Sequence, residues 1–239
     1  MVILSRGRSN SISTVNLLPD WVEVLVPESQ RSDYEAAVDN PIITTPDDVC
    51  GLGTLRNWCL DNFSEEIVIM LDDDIQKFYC LTGAKSRAVY GEEFVQVLIN
   101  TAVMAQDIGA GMFGFYQTDI RKYKGYDPFS LCGWIGTIVG VIGRKHRFRN
   151  DKFKVDIDYS LQNLLIERII FMDTRYYAGN FKDSNRGGNS EFRTRESFER
   201  SIETLEKKWG RCIKVSRDRF KGQCKISLDV KRKQSIRME

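Results

Sequence analysis

The sequence predicts an α/β domain in which helices flank a mainly parallel central sheet. Three observations lead there. Strand-like and helix-like segments alternate over residues 1–75, the order that produces crossover helices between parallel strands. The run at 67–71, IVIML, is apolar at every position, as in a strand covered on both faces. Polar loops follow the first, second and fourth predicted strands, so they would gather along one edge of the sheet.

Residues 1–4 open the sheet and give way to the polar SRGRSNS. Residues 13–18 read as the start of a helix, closed by Pro19-Asp20. The clearest strand is 21–26, WVEVLV, which stops at Pro27-Glu28-Ser29-Gln30. A short helix at 31–38, a strand at 42–45 and a helix at 53–63 lead to the strand at 67–71. Beyond Asp74 the pattern changes: 91–108 is a long apolar helix packed on the sheet, and 112–117 a strand. Residues 128–143 are glycine-punctuated and apolar, which fits strands and a close-packed turn near the site. Residues 153–158 precede a helix with Leu161, Leu164, Leu165 and Ile169 on one face, and 171–178 form a further strand. After a polar loop at 179–193, a last helix carries Phe198, Ile202, Leu205 and Trp209 as a stripe, with Gly210 past its end.

A chain of 239 residues, 42% of them hydrophobic, is long enough for one large domain with a real core. We divide it into a domain at 1–213 and a basic segment at 214–239. The longest apolar run, 131–143, is too short and glycine-rich to span a membrane, and the first residues lack a signal-peptide layout. Six cysteines without a CxxC pair, and one histidine, suit neither a disulfide framework nor a zinc site. They fit a reducing cytoplasm and leave little room for Ser-His-Asp or Cys-His catalysis. Net charge is only +2, yet nine Lys/Arg face three Asp/Glu in 214–239, which leaves −4 for the remainder. A second cluster at 144–154, RKHRFRNDKFK, holds six Lys/Arg and one Asp. Such segregation suits a polyanionic partner, and a solvated surface or tail has the same composition.

Three carboxylates, Asp72, Asp73 and Asp74, stand at the exit of the buried strand. Ligands of parallel sheets bind beyond the carboxyl ends of the strands. In an extended chain Asp72 and Asp74 point to one side and Asp73 to the other. Two hard oxygen donors suit Mg²⁺ or Mn²⁺, which commonly pair one or two carboxylates with phosphate oxygens. Helix N-termini and solvated turns also collect aspartates, so the triplet alone leaves metal binding open.

Two glycine motifs carry less. Gly109, Gly111 and Gly114 spell GxGxxG, but they follow a helix and enter a strand, the reverse of dinucleotide-binding order. The stretch GLGTLR at 51–56 reads as a turn into a helix whose N-terminus, with Arg56, is available to a phosphate.

Four elements in this order, a strand ending in SRGR, a second ending in VPESQ, a GLGTLRN helix start and IVIMLDDDI, resemble the GT-A glycosyltransferases. Among these the TET-associated glycosyltransferases, many of them phage-encoded, are the nearest group. The resemblance is densest over 1–80 and continues more weakly to about 210. It implies a single GT-A-like, Rossmann-type domain, a nucleotide-sugar donor and a divalent metal, Mn²⁺ or Mg²⁺. Asp72 and Asp74 would be the metal-binding DxD pair, with Asp72 and Asp73 against the donor. Ser5, Arg6, Arg8, Glu28 and Gln30 would line the nucleoside pocket, with Gly53 and Arg56 at the helix start.

The resemblance also implies an acid at a helix start, in a pattern written E-D-x-D. Here the stretch VDID at 155–158 fits, with Val155 in place of Glu. Asp158 falls where an N-cap would, and Asp156 lies outside the helix as the preferred general base; both are candidate catalytic residues. No histidine follows His146 to act as the late metal ligand of many GT-A enzymes. The loop at 180–189, with Arg186, Gly187, Gly188 and Asn189, is the candidate to hold the pyrophosphate, or else a surface loop.

The likeness to phage enzymes, with the basic clusters, points to DNA as acceptor, through the hydroxyl of a hydroxymethylated pyrimidine such as 5-hydroxymethylcytosine. Arg144, Lys145, Arg147 and Arg149, with Lys231, Arg232 and Lys233, are the candidate DNA contacts. UDP-linked glucose and arabinose are the candidate donors, and the host cytoplasm the place of action for a phage enzyme. Two other readings stand beside this one. The first is a GT-A enzyme acting on a protein, glycan or small molecule. The second is a non-catalytic nucleotide or nucleic-acid binding module.

Overall fold

The computed structural model describes residues 1–119, 127–149, 154–180, 195–218 and 223–230. The chain begins with β1 (Val2–Leu4), β2 (Glu23–Pro27), α1 (Arg31–Glu35), β3 (Ile42–Thr45), α2 (Leu52–Asn62) and β4 (Ile67–Asp72). There follow β5 (Ile75–Thr82), β6 (Lys85–Ala88), α3 (Glu92–Asp107), β7 (Met112–Tyr116), β8 (Phe129–Ser130) and β9 (Ile138–Ile142). The last elements are α4 (Val155–Ile166), β10 (Phe171–Asn180), α5 (Arg195–Trp209), β11 (Ile213–Asp218) and β12 (Gln223–Leu228).

Ten strands form one sheet along the path β3-β2-β1-β4-β9-β7-β10-β5-β6, with β8 beside β10. β3, β2, β1 and β4 are mutually parallel, as the alternation of elements predicts. Past β4 the sheet is mixed: β9 runs antiparallel to β4 and β7, β10 parallel to β7, and β5 antiparallel to β10. The chain leaves β1 toward β2 on one side and returns to β4 on the other. The crevice beyond the carboxyl ends at such a switch point is the usual ligand position in this class of sheet.

β4 shows why its sequence is apolar throughout. Ile67, Ile69 and Leu71 face one layer, with Ile3, Val24, Val26 and the α3 residues Phe94 and Leu98. Val68 and Met70 face the other, with Val2, Leu4, Leu25 and side chains of α2 and α4. A fully buried aliphatic side chain contributes roughly 1.5–3 kcal/mol, so β4 is held from both sides and its exit is fixed in place.

Three segments depart from expectation. Residues 13–18 are not a helix; Ser9–Ser11 and Thr14–Leu17 are short 3-10 turns, because the Ser13 and Thr14 amides donate to Asp73 O instead of building a helix. β5 and β6 form a hairpin that the sequence pattern did not mark. Beyond residue 212 the chain makes a second hairpin, β11-β12. Its Ile213, Ile226 and Leu228 pack against Ile157 and Leu161 of α4 and Leu205 of α5. Among the described residues, no helix is long and apolar enough to cross a membrane.

Candidate active site

Side-chain parity along β4 decides what each aspartate meets. Asp72 continues the side of Val68 and Met70, beneath α2 and α4. There Arg56 of α2, only 1% exposed, donates from Nη2 to Asp72 Oδ1 at 3.3 Å and to Gly136 O at 2.7 Å. Its guanidinium lies over the Phe148 ring, 5.4 Å from the centroid. Asp73 falls on the opposite side and is buried. Its Oδ1 accepts from Arg8 Nη1 and its Oδ2 from Ser5 Oγ, both at 2.6 Å. Asp74 accepts from Asn180 Nδ2, at the end of β10, at 2.8 Å, and lies 3.5 Å from Arg8 Nη1. The alternation expected of an extended triplet therefore ends at Asp72. Asp73 and Asp74 form the turn into β5, and Arg8 ties them together.

That turn is stapled from below. Thr14 Oγ1 donates to Asp72 O at 2.6 Å and accepts from Ile75 N at 3.0 Å, so one buried hydroxyl spans it. Ser13 Oγ donates to Ile75 O at 3.0 Å. A second chain of bonds orders the loop after β1. Arg8 N donates to the Tyr34 hydroxyl at 2.9 Å, Tyr34 shares a 2.6 Å bond with Ser5 Oγ, and Ser5 Oγ donates to Asp73. Burial holds the Tyr34 phenol above its ordinary range, so it stays protonated and can pass this chain along.

Burial raises the pKa of Asp72 to about 7; Arg56 pulls it down, and Asp74, Asp73 and Asp156 push it further up. The sign follows directly. Between its ordinary 3.8 and about 7 the folded chain holds a proton that the unfolded chain has released, so stability falls as pH rises through that window. In metal-free buffer, thermal melting from pH 4 to 8 should therefore fall more steeply for the wild type than for Asp72→Asn; equal slopes would contradict this assignment.

The two acids of VDID part company. Lys154, in the left-handed conformation (φ 57°), is the N-cap of α4, and both acids lie in the helix's first turn. Asp158 is thus not the cap, contrary to the sequence reading. It is fully buried and accepts from Lys208 Nζ at 2.9 Å, Trp209 Nε1 at 2.7 Å and Gln162 Nε2 at 2.8 Å. Asp156, expected outside the helix, is in its first turn and partly exposed. Its Oδ2 lies 3.1 Å from where a Cβ on Gly136 would stand, and Gly136 is the residue whose carbonyl Arg56 holds.

The remaining candidates separate by location. Gln30 Oε1 accepts from Gly7 N at 2.8 Å, which brings the loops after β1 and β2 together; Glu28 beside it is exposed. Arg6 reaches to the carbonyls of Asp47 and Val49, both at 3.2 Å. Gly53 is a place only glycine fits, since a Cβ there would stand 1.9 Å from Arg149 O. Arg149 is thereby set against the start of α2, on the carboxylate edge.

Arg144, Lys145 and Arg147, candidate DNA contacts, each have partners within the chain. They follow β9, whose last residue pairs with Ile67 at the far end of β4. Arg144 and Lys145 therefore start from the end of β4 opposite Asp72, and the chain then turns back along α2, where Phe148 bonds Asn57. Arg144 donates to the carbonyls of Phe63 and Glu65, Lys145 pairs with Glu167 at 2.9 Å and Arg147 with Asp61 at 2.7 Å. Arg186, Gly187, Gly188, Asn189, Lys231, Arg232 and Lys233 lie outside the described residues. The sequence reading missed Thr14 and Tyr34, and named Asn180 only as the first residue of the 180–189 loop. Only Tyr34 left a signal, as the one large apolar ring in the polar stretch RSDYEAA.

Residues 1–188 match the family described as TET-Associated Glycosyltransferase. The chain belongs to that family. Among solved structures, this family member is similar to S. aureus TarS 1-349 in complex with UDP-GlcNAc, at 11% identity and a TM-score of 0.47, over 85% of this chain and 66% of that one. The same TarS fragment in complex with UDP gives 13% identity and a TM-score of 0.46, over 85% and 64%. The chain thus spans about two thirds of the length of those TarS fragments. No curated protein matches it in sequence.

Proposed function

We propose that this TET-associated glycosyltransferase moves a sugar from a nucleotide-sugar to the hydroxyl of a hydroxymethylated pyrimidine in DNA, with 5-hydroxymethylcytosine the first acceptor to test. The observation that carries the proposal is Asp156, a carboxylate beside Asp72 and Arg56 at the switch point of the sheet. Membership in a TET-associated family supports a hydroxymethylated base as acceptor, and UDP-glucose and UDP-arabinose are the donors proposed.

In this reading the nucleoside lies along Ser5, Arg6, Arg8, Glu28 and Gln30, with the diphosphate near Arg56 and the start of α2. The acceptor oxygen attacks the anomeric carbon while Asp156 takes its proton. The bond from that carbon to the diphosphate oxygen breaks, and its electrons leave with the nucleoside diphosphate. In the same reading Arg8 and Arg56 offset the charge that develops there. Among the described residues, no three His, Cys, Asp or Glu side chains are grouped to hold a metal. Asp72 and Asp74 would be the residues to hold Mg²⁺ or Mn²⁺, because two carboxylates plus donor phosphates are a usual set for these ions, and Asp73 and Asp156 add negative charge near Asp72. Bound there, the ion would supply a positive charge to the departing diphosphate. Asp74→Asn should lower turnover by about 10²-fold, and EDTA should abolish it; full activity in EDTA would exclude a metal role for the pair.

The basic segment supplies a separate expectation. If Lys231, Arg232 and Lys233 contact phosphates, replacing all three with Ala reduces the salt dependence of duplex binding by about 0.9 per lost contact in the log–log slope. Donor affinity should be unchanged. An unaltered slope would remove those residues from the DNA contact. The function itself is tested by incubating the protein with labelled UDP-sugars and 5-hydroxymethylcytosine duplex. Label entering DNA supports the proposal, and donor hydrolysis without transfer would move the acceptor to another class.

A further inference from the structure

Gly136 sits where three side chains from three different elements meet. A Cβ at this position would stand 2.6 Å from Gln117 Nε2, 3.0 Å from Trp134 Cζ3 and 3.1 Å from Asp156 Oδ2. Gln117 follows the end of β7, Trp134 precedes β9 and Asp156 opens α4, so the sheet edge itself brings them together. All three are partly exposed, and Trp134 packs in part against the Ile157, Leu161, Leu205 and Ile213 cluster. Neither the Gln117 amide nor the Asp156 carboxylate is engaged by a hydrogen bond to another described residue. The backbone below is fixed, because Arg56 donates to Gly136 O and Ser160 Oγ accepts from Ile135 N at 3.2 Å.

We infer that Trp134 and Gln117 form the acceptor subsite, taking one extruded pyrimidine base with its hydroxymethyl group toward Asp156. The inference rests on the proposed function and adds to it the residues that read the base. The chemistry of the cluster matches that occupant. A base turned out of the duplex needs an apolar ring to replace its stacking partners and a polar group on its Watson–Crick edge. Trp134 provides a π-face, and the amide of Gln117 carries both donor and acceptor. The carboxylate beside them is the group proposed to take the proton from the attacking hydroxyl. Gly136 lets the three approach one another, since a Cβ there would stand too close to all of them.

The test compares wild type with Trp134→Ala, Trp134→Phe and Gln117→Ala on duplexes containing 5-hydroxymethylcytosine or 5-hydroxymethyluracil. Transfer and donor hydrolysis are measured on the same samples. The expected result is a fall of about 10- to 100-fold in kcat/KM for DNA in both Ala variants, with donor hydrolysis within about twofold of wild type. Trp134→Phe should keep most of the rate, because a ring remains. Gln117→Ala should also shift the preference between the two bases, which a packing defect would not do, and it stands in if Trp134→Ala fails to fold. Wild-type kcat/KM in both Ala variants, or an equal loss of donor hydrolysis, would overturn the subsite and leave the proposed function standing. A wild-type protein that labels neither duplex overturns both.

Discussion

Asp156→Asn should lower the single-turnover rate by about 10²–10⁴-fold, the usual loss when a general base is removed. That corresponds to about 2.7–5.4 kcal/mol of barrier at 1.36 kcal/mol per decade. The amide is nearly the same size as the carboxylate but cannot take a proton. Donor and DNA affinities should therefore survive, and with them the melting temperature, because Asp156 is partly exposed and makes no buried ion pair. A variant that turns over at the wild-type rate would remove Asp156 from the chemistry. One that loses donor binding instead would make it a ligand of the diphosphate side.

Asp158→Ala should act on stability. The carboxylate is fully buried, and three donors converge on it, two of them from the end of α5. Breaking a buried charged pair typically costs about 3–5 kcal/mol, because the partners are left without compensation. The lower end of that range applies here, since the Lys208 side chain is 44% exposed and can turn to water. Trp209 Nε1 cannot do so as readily. Denaturant unfolding should show a loss of about 3 kcal/mol, while the protein that remains folded keeps its transfer rate. A stable but inactive Asp158→Ala would exchange the roles given to these two acids.

The first half of the fold was legible because each local signal agreed with the others. A β-branched run with no polar position has one comfortable place, a strand covered on both faces, and β4 is there. The loops after β1, β2 and β4 then had to share an edge. What could not be read was the point at which regular geometry stops. The triplet Asp72-Asp73-Asp74 looks extended in sequence, yet the turn begins at its second residue, so the third aspartate is placed by Arg8 and Asn180. Likewise VDID resembles a cap followed by a helix, but a left-handed Lys154 starts the helix earlier and turns Asp158 inward. Cap position is set by a backbone angle that residue types only weakly determine.

Topology divides the basic cluster at 144–154. Had β9 run parallel to β4, the residues after it would have emerged at the carboxylate edge. It runs antiparallel, so Arg144 and Lys145 follow it at the opposite edge while Arg149 returns to the start of α2, and composition carries no information about that choice. The hairpin β11-β12 was obscured by charge in the same way. Ile213 and Val215, then Ile226 and Leu228, alternate with polar residues at strand spacing, but the surrounding lysines and arginines made the stretch read as a basic segment for a polyanionic partner or a solvated tail.

The central step proposed is transfer of sugar to a DNA base by way of Asp156. Nucleoside mass spectrometry tests this most directly, after 5-hydroxymethylcytosine duplex is incubated with UDP-glucose or UDP-arabinose and Mn²⁺, then digested. The predicted result is a hydroxymethylcytosine nucleoside heavier by one sugar residue with wild-type protein, and at least about 10²-fold less of it with Asp156→Asn. An unmodified nucleoside from the wild-type reaction, with the donor consumed, would contradict it.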